Sequence, residues 1–170
     1  MARFTNQAQL RYGNAVANSN IAVGEILEVL SATKTAVRNT YEQNDTITYI
    51  ISIVNSGNTA FTGITVSDNL GSYNFDTGTL VPLSYIPDTI KYYINGVLQA
   101  NPVVTAGPPL TVTGLSIPAN GNITIAYETA TNQFAPLGSG SVIRNTATIS
   151  GVGITPVEIT EEVTSDSAPL

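Results

Sequence analysis

Short runs of alternating apolar and polar residues follow one another along most of the chain. The clearest run is 46–54 (TITYIISIV), which would place Ile47, Tyr49, Ile51 and Ile53 on one face of a strand. A later run does the same with alternate residues from Ile123 onward. Clusters of Gly, Asn and Pro separate these runs at the short spacing that is typical of a sandwich. We therefore predict an all-β fold.

The turn signals divide the strands further. Asn95-Gly96 lies between two apolar runs and predicts a two-residue hairpin. The neighbouring Tyr92 and Tyr93 should point to opposite faces, one into the core and one to the surface. By contrast, 68–78 (DNLGSYNFDTG) predicts a loop without strands.

Two distant segments of the chain are similar to each other. Segment 4–10 (FTNQAQL) matches segment 143–149 (IRNTATI) when Asn6 is aligned with Asn145, an offset of 139 residues (145 minus 6). In both places a turn containing Gly and a second alternating run follow. The offset is about the length of one sandwich domain, as in tandem repeats. We therefore predict that the N-terminus copies the closing hairpin of such a domain.

This interpretation divides the chain into three parts. Residues 1–28 would form the N-terminal hairpin, 29–163 the sandwich and 164–170 a C-terminal tail. Because an isolated two-stranded hairpin is marginally stable in water, its apolar face should be buried, either on its own domain or on a neighbouring molecule. The residues predicted to form this donor face are Phe4, Ala8, Leu10, Tyr12, Val16, Ile21 and Val23.

The amino-acid composition argues against several classes of function. The chain has 42% hydrophobic and 11% charged residues, a net charge of −6, and no Cys, His or Trp. Six scattered cations make no basic patch, which argues against nucleic-acid binding. There is no apolar run long enough for a transmembrane segment. The N-terminus shows no secretory signal, so we expect either that a signal was removed and a start codon added, or that the protein is exported by another route, such as assembly on a spore inside a mother cell.

Several motifs resemble a known bacterial repeat. They are 31–36 (SATKTA), 44–49 (NDTITY), 54–58 (VNSGN), 66–68 (VSD) and 145–147 (NTA). Together they are similar to the immunoglobulin-like conserved surface repeat known as domain of unknown function eleven. The resemblance implies an immunoglobulin-like β-sandwich on a bacterial cell surface, in stalks, adhesins, sheaths or envelopes. With the N-terminal addition, the predicted fold is an immunoglobulin-like sandwich carrying an extra β-hairpin or donor strand.

One arrangement of residues could carry covalent chemistry. Lys34 lies on the first strand of the predicted sandwich and Asn145 on its last, with Asp68 or Glu128 as an acid between them. A buried lysine beside a buried acid can attack an asparagine amide and form an isopeptide bond. The alternative is a solvated Lys34 and an Asn145 that bonds to the backbone. Asn6, in the same motif without a lysine beside it, favours that alternative.

Calcium binding and glycoside hydrolysis have less support in the sequence. The spacing of Asp68 and Asp76 matches no calcium loop, and the acids of the C-terminal tail are typical of a solvated surface. A carboxylate pair for glycoside hydrolysis would lack the tryptophan that often stacks on sugars. We therefore predict no metal, no cofactor and no enzymatic activity.

Two functions remain from different classes. The first is a structural subunit of an extracellular bacterial filament or appendage, which assembles with copies of itself when one subunit's N-terminal segment completes a sheet of the next. The second is a monomeric cell-surface adhesin or spacer module, with the hairpin folded on its own body.

Overall fold

The computed structural model describes residues 2–26 and 29–166, which contain eighteen β-strands and no helix. Consequently no described segment is a helix long and apolar enough to cross a membrane. The strands are β1 (Ala2–Asn6), β2 (Gln9–Tyr12), β3 (Ala15–Asn18), β4 (Ala22–Ile26), β5 (Leu30–Ala36), β6 (Thr40–Tyr41), β7 (Thr46–Asn55), β8 (Phe61–Asp68), β9 (Tyr73–Phe75), β10 (Gly78–Leu80), β11 (Leu83–Tyr85), β12 (Lys91–Ile94), β13 (Val97–Leu98), β14 (Val103–Thr105), β15 (Leu110–Ile117), β16 (Gly121–Thr131), β17 (Val142–Ser150) and β18 (Val157–Ser165).

Two six-stranded sheets build the body of the molecule. The first has the order β13-β12-β16-β7-β5, with β11 also paired to β16. The second has the order β14-β15-β8-β17-β18-β6. All their pairings are antiparallel except the short one between β18 and β6. The last strand runs to Ser165, so the described part of the predicted C-terminal tail begins inside it, while 167–170 lie outside the described residues.

The core lies between the inner faces of these sheets. In β7 every second residue is buried, and Ile47, Tyr49, Ile51 and Ile53 are all at most 1% exposed, which confirms the face predicted from alternation. β16 alternates in the same way over its whole length. Because the two strands pair side by side, they form the centre of the first sheet.

Turn residues in the sequence predicted one hairpin correctly, whereas a second hairpin was not predicted. Asn95 and Gly96 both have positive φ angles, 47° and 79°, and connect β12 to β13 as predicted. Tyr92 is buried, whereas Tyr93 is half-buried on the other face. The prediction of a strandless loop over 68–78 is wrong, because β9 and β10 pair within and just beyond that range.

The N-terminal segment forms a separate long hairpin, which we call the N-terminal hairpin (residues 2–26). β1 pairs with β4, and β2 pairs with β3. Among the described residues, none of these four strands pairs with either large sheet. All side chains described in this hairpin, those of residues 5–23, are exposed. The hairpin therefore stands apart from the core.

The outer part of the N-terminal hairpin, β1 with β4, repeats the register of the closing hairpin formed by β17 and β18. Asn6 pairs with Ala22 in the first hairpin, and Asn145 pairs with Glu161 in the second. Both members of the pair are displaced by the same 139 positions (145 minus 6, and 161 minus 22).

The pairing of β2 with β3 is shifted by one residue, since Leu10 pairs with Ala17, whereas Ile149 pairs with Val157, which lies 140 positions after Ala17 (157 minus 17). The sequence similarity is thus matched by the pairing of β1 with β4 only.

Candidate functional site

A buried ion pair joins the two sheets. Lys34 lies on β5 of the first sheet, and its side chain is fully inaccessible to solvent. Its Nζ lies 2.5 Å from Oδ2 of Asp68, at the end of β8 in the second sheet. Although β5 is an edge strand, Lys34 is therefore buried rather than solvated.

Asp68 receives three hydrogen bonds. Besides Lys34, the Tyr127 hydroxyl donates to Oδ2, and the Leu70 backbone N–H donates to Oδ1 at 2.8 Å. Glu128, the other acid considered, is paired opposite Thr48 and half-buried, and it follows Tyr127 on β16, so it points to the other face. Of the two acids, Asp68 is the one that contacts Lys34.

Asn145 is fully buried on β17, the strand beside β8. Asp68 is paired directly opposite Ala147, which makes Asn145 its diagonal neighbour on the same face. The Gly71 backbone N–H donates to Asn145 Oδ1 at 3.2 Å. Its amide nitrogen Nδ2 makes no hydrogen bond of normal geometry to any described residue, although it lies near enough to the Tyr49 and Tyr127 hydroxyls to influence both. The three predicted residues Lys34, Asp68 and Asn145 thus lie in one buried region.

Two tyrosines that were not predicted to take part in this chemistry complete this region. The rings of Tyr49 and Tyr127 stack with centroids 5.8 Å apart, and Lys34 Nζ lies 4.9 Å from the Tyr49 ring centroid. Alternation along β7 and β16 predicted that both rings point inward. Nothing local marks the Tyr127 hydroxyl as a partner of Asp68, because the two residues are far apart in the chain. We call Lys34, Tyr49, Asp68, Tyr127 and Asn145 the buried polar cluster.

Burial controls the electrostatics of the buried polar cluster. Desolvation lowers the pKa of Lys34, and the negative charge of Asp68 only partly opposes this. Burial, reinforced by Asp68, raises the pKa of both Tyr49 and Tyr127, while the Asn145 amide acts in the opposite direction on each. Lys34 can therefore give up its proton more readily than an exposed lysine, and as a neutral amine it would be a nucleophile held beside Asp68.

The predicted donor residues are mostly exposed, but they do not share one face. Leu10 and Tyr12 are 71% and 87% exposed. Leu10 pairs with Ala17, whereas Val16 pairs with Arg11, so Val16 lies on the face opposite to Leu10. The prediction of a single apolar face is therefore corrected: apolar residues occupy both faces.

The other predicted donor residues occupy the rest of the hairpin. Ala8 is exposed between β1 and β2, Ile21 is exposed in the irregular step before β4, and Val23 is exposed on β4. The backbone of Phe4 lies in β1, but its side chain is outside the described residues. Leu10 and Tyr12 share one face of β2, which we call the repeat face because Leu10 aligns in sequence with Ile149 on the inward face of β17.

The sandwich has an open apolar edge. β13 and β14 end the two sheets on the side away from β5 and β18. Both strands are short, and Val97, Leu98 and Val103 on them are more than half exposed. Unpaired backbone groups on such edges can pair with a strand from another chain.

Comparison with known proteins shows the fold. No family model and no curated protein matches the chain. The pilus backbone protein of Streptococcus pneumoniae is similar with a TM-score of 0.56 and 12% identity, over 71% of this chain and 31% of that one. The major pilin subunit BcpA of Bacillus cereus has a TM-score of 0.54 and 14% identity, over 96% and 48%. The RrgA Jo.In complex has a TM-score of 0.57 and 12% identity, over 81% and 78%.

These similarities confirm the predicted immunoglobulin-like β-sandwich. The chain spans less than half the length of the two pilins that it matches. At this level of identity the comparison concerns architecture, and the roles of individual residues depend on the geometry described above.

Proposed function

We propose that this protein is a structural subunit of a self-assembling extracellular bacterial filament or appendage, joined by N-terminal strand complementation. The observation that carries the proposal is the N-terminal hairpin, which presents exposed apolar side chains and pairs with neither large sheet among the described residues. The similarity in fold to two pilins supports it, as does the resemblance to a bacterial surface repeat.

Energetics favour a partner for this hairpin. Full burial of a Val, Leu or Ile side chain stabilises a protein by about 1.5–3 kcal/mol. Leu10, on the repeat face, is 71% exposed in the single chain, so most of that stabilisation is still available for association. Two-stranded hairpins gain stability when they join a larger sheet.

The repeat face is the proposed contact surface. On β17 the inward residues Ile143, Asn145, Ala147 and Ile149 are all buried against the core. In each complete molecule, however, β17 and β18 already fill that position. A donor hairpin would therefore pair along the open edge at β13 and β14 of the next subunit, with Leu10 and Tyr12 facing Val97 and Val103. Since such head-to-tail contacts do not close, they produce filaments.

Two matched substitutions test this proposal. Leu10→Lys places a charge on the repeat face, and Val16→Lys places the same charge on the opposite face of the same hairpin. We expect Leu10→Lys to abolish filaments in electron micrographs of the concentrated protein, while Val16→Lys retains them. Filaments that persist in Leu10→Lys, or after deletion of residues 1–28, would refute donor-strand assembly.

The second candidate function is a monomeric surface adhesin or spacer. Among the described residues, no strand of the hairpin pairs with a strand of the body. The structure therefore gives no support for a monomer in which the hairpin folds back on its own domain. Light scattering separates the two functions, since a single 17.8 kDa species at high protein concentration favours the monomer.

A further inference from the structure

The buried polar cluster contains the three groups that a self-catalysed amide bond needs. Lys34 supplies an amine, Asn145 a carboxamide and Asp68 an acid, and all three side chains lie between the sheets. Lys34 Nζ contacts Asp68 Oδ2 at 2.5 Å, and Asn145 is the diagonal neighbour of Asp68. We propose that Lys34 and Asn145 become joined by an intramolecular isopeptide bond, with Asp68 carrying the proton between them.

A purely structural role leaves two features of the buried polar cluster unexplained. A buried lysine–aspartate pair contributes little net stability, because removing both charges from water offsets their attraction. Buried amide nitrogens are almost always hydrogen-bonded, yet Nδ2 of Asn145 makes no hydrogen bond of normal geometry among the described residues, although it lies near the Tyr49 and Tyr127 hydroxyls. Both features fit a reacting site, where Lys34 is the nucleophile and Nδ2 belongs to the leaving group.

The surroundings of Asn145 also favour attack at its carbonyl carbon. The Gly71 N–H donates to Oδ1, the oxygen on which negative charge develops in a tetrahedral intermediate. At the same time the Tyr127 hydroxyl and the Leu70 N–H hold the Asp68 carboxylate in place. The acid is therefore oriented by both sheets.

The proposed reaction is balanced without any cofactor or oxidant. Lys34 Nζ transfers a proton to Asp68, and the neutral amine forms a bond to Cγ of Asn145. The bond from Cγ to Nδ2 then breaks as Asp68 returns the proton to the leaving nitrogen. Asp68 next takes the second proton from the new amide nitrogen and passes it to the released ammonia, which departs as ammonium. No residue is oxidised or reduced, and Asp68 ends the reaction in its starting state.

Intact-mass measurement of the full chain tests the proposal directly. We expect a mass about 17 Da below that of the sequence, the mass of one ammonia. Trypsin should then fail to cleave after Lys34 and should release peptide 12–38 linked to peptide 145–170. A full sequence mass in the wild-type protein would overturn the proposal without any need for a variant.

Matched variants exclude other sources of the same mass change. Lys34→Met and Asp68→Asn should restore the full mass, while Lys91→Met at the exposed lysine and Glu128→Gln at the other acid should keep the loss. Cyclisation at Asn95-Gly96 would also remove ammonia, but it produces no linked peptide. A mass loss without the linked peptide, or one that persists in Lys34→Met, would therefore contradict the proposal. The bond forms within one chain, so the mass measurement tests it independently of whether the protein assembles into filaments.

Discussion

The N-terminal hairpin and the closing hairpin of β17 and β18 share their register over β1 and β4 but lie in opposite environments. Ile149 of the closing hairpin is 0% exposed, whereas its counterpart Leu10 is 71% exposed. Likewise Asn145 is buried beside Asp68, whereas Asn6 is exposed. The difference shows that the alternating pattern defines a face that can be buried, while the presence of a sheet to receive it decides whether that face is buried.

The two equivalent asparagines should differ most. Asn145→Ala would remove the proposed cross-link, which closes a loop of about 110 residues, and by analogy with disulfides we expect a loss of about 4–5 kcal/mol. Asn6→Ala should change stability by less than about 0.5 kcal/mol. Chemical denaturation of both variants at low protein concentration measures the difference. Equal stability of the two variants would show that the buried amide has no special role.

The two equivalent aliphatic residues provide the next comparison. Ile149→Ala leaves a cavity between the sheets and should lower the free energy of unfolding by about 2–5 kcal/mol. Leu10→Ala removes a side chain that has no core around it, so the isolated chain should lose less than about 0.5 kcal/mol. Denaturant unfolding at low concentration provides both values. A large loss in Leu10→Ala under those conditions would mean that the hairpin packs on its own body.

Alkaline pH should affect the body but not the hairpin, and this is the smallest effect that we expect. Burial raises the pKa of Tyr41 from 10.0 to about 12, and its hydroxyl donates to the Pro136 carbonyl oxygen at 2.5 Å. The unfolded chain therefore loses this proton at lower pH than the folded chain does. The resulting stability is complete below pH 10 and disappears as the pH rises through about 12.

The Tyr41→Phe variant isolates this contribution. It should be less stable by about 1 kcal/mol near neutral pH, because a hydrogen bond is lost. Its unfolding midpoint should also fall less steeply than that of the wild type between pH 10 and pH 12. Parallel pH profiles for the two proteins would assign the alkaline loss to other residues.

Local patterns in the sequence predicted the parts of the fold that depend on neighbouring residues. Alternation identified β7 and β16, and Asn95-Gly96 identified a hairpin, because each signal lies within one strand or turn. The pairing of β9 with β10 was missed, since both strands are only three residues long and lie in a segment rich in Gly and Asn.

The buried polar cluster was only partly predictable for the same reason. The positions of Lys34 and Asn145 near the two ends of the sandwich suggested their chemistry, but the burial of Lys34 depends on Asp68 in the opposite sheet. The roles of Tyr127 and Gly71 depend on strands that meet only in the folded molecule. Likewise, the sequence similarity located the N-terminal hairpin, whereas its register was needed to show that Val16 and Leu10 lie on opposite faces.

Amide hydrogen exchange on the pelleted assembly, compared with the dilute chain, tests most directly whether the N-terminal hairpin completes a neighbouring molecule. We predict that amides of residues 2–26 exchange rapidly in the dilute chain and become strongly protected in the assembly, while amides of β17 and β18 are protected in both. Rapid exchange of the hairpin at every concentration, or in recovered filaments, would contradict assembly by strand complementation.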